Sequence, residues 1–329
     1  MSKLQVICIG EALIDKIINK TDSKFKNHLG GAPANVVCAL RKLNVPAAFI
    51  GCIGDDYYGR EFIKLFQELN VNFDFLQIAK KSSTRIVKVI RDESGDRSFS
   101  GFEMNKSNSF ADEMLDKLPL INDIKNLKKQ IAHTRYLVTG TNLLAFSQSA
   151  DALYFLLNFA KSFRVKIIID VNWREIFWKN SNIDKDAKLK KVKKFLHHAD
   201  ILKLANEEAY LFFDTNDPLE ISKVLTKQPD VIITNGANPI NWYLNRIKGS
   251  NQLVKHASQI IDTTGAGDAF LAGLISRYYF DSNIDNESKI KENIKFASVC
   301  GLLTCSGEGA IEPQPVDKLV YKFLEDCGS

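Results

Sequence analysis

Two rhythms of apolar residues alternate along this chain. Short apolar runs that stop at a glycine, such as Leu4 to Ile9 before Gly10 and Ala47 to Ile50 before Gly51, predict strands buried on both faces. Between them lie stretches with helical spacing. One runs from Ala34 to Leu43; another from Tyr57 to Leu69 repeats Phe62, Leu65, Phe66 and Leu69 at i, i+3, i+4 and i+7. The alternation returns later, with strands expected at 136–139, 165–169, 200–204 and 231–234, and helices at 147–163, 266–279, 290–305 and 316–324. Strand–helix–strand units at this spacing predict an α/β, doubly wound fold, a mostly parallel sheet with helices on both faces.

The stretch 84–102 breaks the rhythm. Thr84 to Ile90 alternates apolar and polar positions, Asp92-Glu-Ser-Gly-Asp96 reads as a turn, and Arg97-Ser-Phe99 resumes the strand. A β-hairpin with one polar face inside an α/β chain is a candidate lid, or a surface for a second copy, since an uncovered sheet is otherwise a liability. A homodimer through this lid is therefore expected. A further lid excursion is expected at about 12–29, and the polar stretch 179–190 is expected to be a solvated loop or helix edge. Neither a repeat nor a Pro-, Gly- or Ser-rich linker divides the chain, so residues 1–329 are expected to form a single domain.

Composition narrows the function classes. With 45% hydrophobic and 25% charged residues among 329, the chain can bury a sizeable core. A net charge of +5 with both signs mixed is too mild to argue for nucleic acid. No apolar run reaches the roughly 18 residues of a membrane span, and no signal-peptide pattern opens the chain, so a cytoplasmic location is expected. The six cysteines are scattered without a Cys-x-x-Cys pair, which predicts buried free thiols rather than a metal site.

Two glycine-rich turns carry the candidate chemistry. In Asp262-Thr-Thr-Gly-Ala-Gly-Asp268, small residues open a predicted helix, where backbone N–H groups and the helix dipole favour a phosphate. An acidic residue directly beyond an anion-binding turn is well placed to take a proton from an attacking hydroxyl, although a helix-capping Asp on a structural turn has the same pattern. Earlier, Gly30-Gly-Ala-Pro-Ala-Asn35 also opens a helix; it is either a tight turn or a floor for a small ligand, with Asn35 and Asp15 as hydrogen-bonding groups. Neither a Walker A loop nor a dinucleotide fingerprint occurs, which disfavours an NAD-dependent oxidoreductase. Arg174, close after Asp170 and Asn172 at the carboxyl end of a predicted strand, sits where open α/β sheets bind ligands.

Together, Gly30-Gly-Ala-Pro-Ala-Asn35 and Asp262-Thr-Thr-Gly-Ala-Gly-Asp-Ala-Phe270 resemble the two signatures of the ribokinase-like (PfkB) carbohydrate kinases. Gly10-Glu-Ala-Leu-Ile-Asp15, Gly51-Cys-Ile-Gly54 and Thr234-Asn-Gly236 follow the same pattern, so the resemblance spans nearly the whole chain. Asp170-Val-Asn172-Trp-Arg174 with Trp178, and Gly95-Asp-Arg97-Ser-Phe99, are most similar to fructokinases, with 2-keto-3-deoxygluconate kinases and ribokinases as alternatives.

The resemblance implies an ATP-dependent sugar kinase with Asp268 as base and the N–H groups of Gly265, Ala266 and Gly267 on the γ-phosphate. It implies a sugar held by Asp15, Gly30, Gly31, Asn35, Arg97, Asn172 and Arg174. A nucleotide would meet Lys203, Thr234, Gly236, Thr264, Gly265 and Gly267. Mg²⁺ would be reached by Glu208 through water, and K⁺ would lie beside Asp262 and Thr264, near the loop Gly307-Glu-Gly309. Two positions depart from the family pattern: Ala205 stands where an Asn is usual before Glu208, and Pro239 where a second Gly is usual after Gly236. A non-catalytic sugar- or nucleotide-binding regulator on the same fold is the alternative of a different class, and the presence of Asp268 argues against it.

Overall fold

The computed structural model describes residues 5–19, 25–91, 97–103, 109–179, 184–254, 260–281 and 286–326. In chain order the strands and helices of the first half are β1 (Gln5–Ile9), β2 (Leu13–Asn19), β3 (Phe25–Gly30), α1 (Ala32–Lys42), β4 (Ala47–Ile50), β5 (Cys52–Gly54), α2 (Tyr57–Glu68), β6 (Gln77–Ala79), β7 (Ile86–Arg91), β8 (Arg97–Glu103), α3 (Lys117–Asn122), α4 (Ile124–Ala132), β9 (Thr134–Thr139) and α5 (Ser147–Lys161). The second half continues with β10 (Lys166–Asp170), α6 (Lys185–Leu196), β11 (Ile201–Ala205), α7 (Asn206–Phe213), α8 (Pro218–Val224), β12 (Asp230–Asn235), β13 (Asn238–Leu244), β14 (Ile247–Asn251), α9 (Ala266–Phe280), α10 (Glu287–Thr304) and α11 (Asp317–Asp326).

Eight strands make the central sheet in the order β14-β13-β12-β11-β10-β9-β1-β4. The six from β12 to β4 pair in parallel, and β13 and β14 extend the edge antiparallel. Strand periodicity divides the core between the two faces. From β1, Val6 and Cys8 join the cluster packed under α1, α9 and α10, whereas Ile7 and Ile9 join the one packed under α5 and α6. Helices thus cover both faces, as the apolar runs predict. The chain leaves β1 for β4 on one side and returns to β9 on the other. That reversal opens a crevice at the carboxyl ends of the strands, the place where open α/β sheets bind ligands.

The lid differs from the hairpin at 84–102 and the further excursion at 12–29 that the sequence predicts. Residues 12–29 and 84–102 do not make separate excursions: β2 pairs with β7 in parallel, giving a four-stranded sheet in the order β3-β2-β7-β8. The isolated hairpin was the simpler reading because β2 shows no clean alternation; Leu13, Ile14, Asp15 and Ile17 are all buried. The expected turn at 92–96 lies outside the described residues. The polar stretch after 179 leads into α6, whose N-cap Asp184 accepts the Ala187 N–H. The five described cysteines are buried free thiols, and Cys327 lies outside the description. Among the described residues, no helix is long and apolar enough to cross a membrane.

Candidate active site

Four strand ends deliver the side chains. Glu11 follows β1, Asn142 follows β9, Asn172 and Arg174 follow β10, and Glu208 sits in the first turn of α7 after β11. The helices α1 and α9 enter the same crevice with their N-termini. A narrow cleft between them and the lid is lined by Asp15, Gly31, Asn35, Asn172, Arg174, Thr264, Gly265 and Asp268, together with Glu11, Leu13, Val87, Asn142 and Phe177. Eight of the residues singled out from the sequence therefore meet in one place.

Both glycine turns are built by backbone constraints. Gly31 has φ 101° and caps α1, and Gly265 has φ 77° and caps α9. Both values lie in the left-handed region that side chains disfavour. A Cβ on Gly265 would also stand 2.7 Å from Ala310 Cβ. The adjoining Gly30 leaves room for the buried Asp15 carboxylate, whose Oδ2 would lie 2.3 Å from a Cβ there. The two turns are joined directly: Asn35 Nδ2 donates to Asp268 Oδ2 at 2.8 Å. From the far end of the chain, Gln314 Nε2 donates to the Asn35 carbonyl at 2.9 Å, and Lys42 Nζ, at the end of α1, donates to the Ile311 carbonyl at 2.5 Å.

The first turn of α9 presents backbone N–H groups to an anion; that of Ala266 already donates to the Thr263 carbonyl at 3.3 Å. Beside it, Lys203 Nζ lies 3.4 Å from where a Gly267 Cβ would be. This ammonium, buried at the carboxyl end of β11, pairs with Asp170 at 2.8 Å. Burial opposes its charge, but Asp170, Asp268 and Glu208 outweigh that and hold its pKa above the usual lysine value. Asp262 ties two loops together. Its Oδ1 accepts from Thr264 N at 2.9 Å and Thr264 Oγ1 at 2.6 Å, while Oδ2 accepts from Gly309 N at 3.0 Å.

Glu208 is buried, and each oxygen already accepts a backbone N–H: Oε1 from Trp173 at 2.6 Å and Oε2 from Ala205 at 2.8 Å. Burial and the Asp170 charge push its carboxyl above the ordinary range. It therefore anchors the segment carrying Asn172 and Arg174. Asn172 holds φ 41°, a strained value for a residue with a side chain. Arg174 Nη1 donates to the Trp173 carbonyl at 2.9 Å.

Other sequence-predicted positions lie further out. Thr234, the last residue but one of β12, is the sheet partner of Ala205, and Gly236 forms the exposed turn to β13 at φ 53°; neither is among the residues lining the cleft. Pro239 is the second residue of β13, just past that turn. Arg97 begins β8, but its side chain lies outside the described residues.

Two polar residues of the cleft escaped the sequence reading. Asn142 Nδ2 donates to Glu11 Oε1 at 2.9 Å, and both residues are buried. Burial, partly offset by the Asn142 hydrogen bond and reinforced by Asp112 and Asp268, raises the Glu11 carboxyl from 4.5 to about 7. The signal available in the sequence was position: each residue closely follows a strand that ends in the crevice.

A cleft with a carboxylate at a helix N-terminus, a buried ammonium beside it and several polar groups opposite can bring a polyanion and a hydroxyl compound together. Comparison with known proteins agrees. The model of the "pfkB family carbohydrate kinase" matches residues 3–317. Two Arabidopsis thaliana proteins, "Probable fructokinase-6, chloroplastic" and "Probable fructokinase-5", are each 30% identical over 97% of this chain, covering 82% and 97% of their own lengths. Among solved structures, fructokinase with bound ATP from Xylella fastidiosa superimposes with a TM-score of 0.83 at 23% identity, over 99% of both chains. Fructokinase from Vibrio cholerae O395 in fructose-, ADP- and calcium-bound form gives 0.79 at 26% identity, over 98% of this chain and 100% of that one.

Proposed function

The chain belongs to the pfkB family of carbohydrate kinases, and on that premise we propose that this sugar kinase is a fructokinase, transferring the γ-phosphoryl group of ATP to the 6-hydroxyl of fructose with Asp268 as general base. The observation that carries this reading is the Asn35–Asp268 hydrogen bond, which couples the first glycine turn to the second. Among the described side chains, the cleft presents the carboxylates of Asp15 and Asp268 and the acidic Glu11 against the guanidinium of Arg174. That balance suits a neutral polyol better than a sugar acid such as 2-keto-3-deoxygluconate.

In this reading the sugar lies over Gly30 and Gly31 beneath the lid, held by Asp15, Asn35, Arg97, Asn172 and Arg174. Its 6-oxygen forms the new bond to the γ-phosphorus as the bond to the β–γ bridging oxygen breaks, and Asp268 takes the hydroxyl proton. Most of the acceleration comes from positioning and charge stabilisation. The N–H groups of Gly265, Ala266 and Gly267 cradle the transferring phosphoryl group, and Lys203, Thr234, Gly236 and Thr264 hold the rest of the nucleotide.

Mg²⁺ bound with ATP would supply further charge neutralisation. Glu208, with both oxygens already bonded to backbone N–H groups, fits an outer role reached through water. A K⁺ ion would be held beside Asp262 and Thr264, where Asp262 joins the two loops. We place the activity in one cytoplasmic ribokinase-like domain whose lid pairs two copies into a homodimer. Exposed Phe25 on β3 supports that pairing, and light scattering on an eluting peak tests it.

A panel of fructose, 2-keto-3-deoxygluconate, ribose and adenosine, each with Mg-ATP and read by ADP release, tests the substrate. Turnover of fructose above the others supports the reading. Turnover of another member with fructose silent overturns the specificity.

A further inference from the structure

Of the eight buried side-chain nitrogen and oxygen atoms without a hydrogen-bond partner among the described residues, three belong to Glu11, Asn35 and Asn142. They are Glu11 Oε2, Asn35 Oδ1 and Asn142 Oδ1. All three residues line the cleft. Leaving a buried acceptor unsatisfied costs about 1–3 kcal/mol, more for a charged group, so three in one cleft call for a ligand that brings donors. Their amide orientations are fixed by what the other atoms do. Asn35 Nδ2 faces the Asp268 carboxylate and Asn142 Nδ2 faces Glu11 Oε1, which leaves each amide oxygen as the idle atom.

We infer that Glu11 is a specificity-determining residue whose Oε2 pairs with one sugar hydroxyl, and that Asn142 is its positioning residue, holding the carboxyl through Oε1. This rests on the sugar-kinase reading and adds to it the means by which one hydroxyl is recognised. A site built to pair with a hydroxyl rejects analogues lacking it, because its own polar group is then stranded. Glu11 suits such a task. It is 2% exposed, so its pairing is not diluted by water, and with its carboxyl raised to about 7 it meets a hydroxyl as donor or as acceptor near neutral pH.

A purely structural bond between the β1 and β9 ends would use one oxygen of Glu11 and leave no reason for the second to be desolvated. It would also be indifferent to which hydroxyl the substrate carries. That difference supplies the test.

Fructose, 1-deoxyfructose, 3-deoxyfructose, 4-deoxyfructose and 2,5-anhydromannitol, which lacks the anomeric hydroxyl, are assayed with the whole enzyme and with Glu11→Ala, Glu11→Gln and Asn142→Ala. The expected result is a rise in KM for fructose of about 10- to 100-fold in Glu11→Ala, with KM for ATP within about twofold. For one deoxy analogue, enzyme and variant should converge to within about threefold, since the partner of Oε2 is already gone. Asn142→Ala should weaken discrimination at the same hydroxyl. If Glu11→Ala does not fold, Glu11→Gln keeps the volume and must still narrow the preference for fructose over that same analogue.

An equal loss with every sugar, or unchanged preferences in the variants that fold, overturns the inference. Failure of the fructokinase reading is seen separately, as silence of the unaltered enzyme with fructose. The same comparison is then run with the accepted sugar and its deoxy analogues.

Discussion

Asn35, in the first turn of α1, donates from Nδ2 to Asp268 Oδ2, in the first turn of α9, at 2.8 Å, across 233 positions of sequence. The bond fixes one carboxylate oxygen of the proposed base. Asp268→Asn is expected to lower kcat by about 10²- to 10⁴-fold while ATP still binds, as titration calorimetry would read. Asn35→Ala is expected to lower kcat about tenfold in the unaltered background and to have almost no further effect on kcat in Asp268→Asn. Additive losses would mean that Asn35 acts independently of Asp268.

Arg174 lines the cleft from a segment that Glu208 holds in place through the Trp173 N–H. Arg174→Ala should raise KM for the sugar about 10-fold or more, the scale of a lost charged hydrogen bond, and change KM for ATP much less. Initial-rate measurements with each substrate varied in turn check this. The opposite split would move Arg174 to the nucleotide side.

The Lys203–Asp170 pair is buried at both ends. Lys203→Met leaves the Asp170 charge uncompensated, which is expected to cost about 3–5 kcal/mol of stability. Lys203→Met combined with Asp170→Leu should recover much of that in urea denaturation, because apolar replacement of a whole buried pair is often neutral. Activity should not return with it, since no cation would then stand beside Gly267. Restored turnover in the double variant would assign the pair a purely structural part.

Glu11 makes stability depend on pH in a definite direction. Its carboxyl is raised from 4.5 to about 7 by burial first and by Asp112 and Asp268 as like charges, against the opposing hydrogen bond of Asn142. Below about pH 4.5 it is protonated in both the folded and the unfolded chain. As the pH rises toward 7 only the unfolded chain releases the proton, so this group's contribution to stability falls, and above 7 ionising it in place costs about 3 kcal/mol. Glu11→Gln removes that dependence. Its stability relative to the unaltered protein should therefore improve steadily between pH 4.5 and 7.5 in denaturant titrations, and a flat difference would contradict the assignment.

What could be read in the sequence followed from burial. The parallel strands β1, β4, β9, β10, β11 and β12 are covered on both faces, so their apolar runs are continuous and stand out. The lid strands β2 and β3 were not legible because their polar residues are spoken for by distant parts of the chain. Lys16 pairs with Glu103 at 2.6 Å, Lys26 with Glu308 at 2.5 Å, and His28 Nδ1 lies 3.6 Å from Glu312. Such partners lie 87 to 284 positions away and leave no local periodicity. The site divides in the same way. Asp268, Gly265, Gly31 and Asn35 belong to turns with a backbone signature, whereas Glu11 and Asn142 are single polar residues after strand ends, and only their meeting in space distinguishes them.

The bonds from Gln314 to the Asn35 carbonyl and from Lys42 to the Ile311 carbonyl carry a consequence for biosynthesis. A ribosome delivers the first glycine turn early, yet the groups that brace it, and Asp268 itself, come from the last quarter of the chain. Nascent α/β units can stack their core while translation continues. The reaction centre is completed only when the late segment has left the exit tunnel and returned to the beginning. A prematurely terminated product would therefore expose an unbraced turn, which quality-control proteases could cut before it bound any nucleotide.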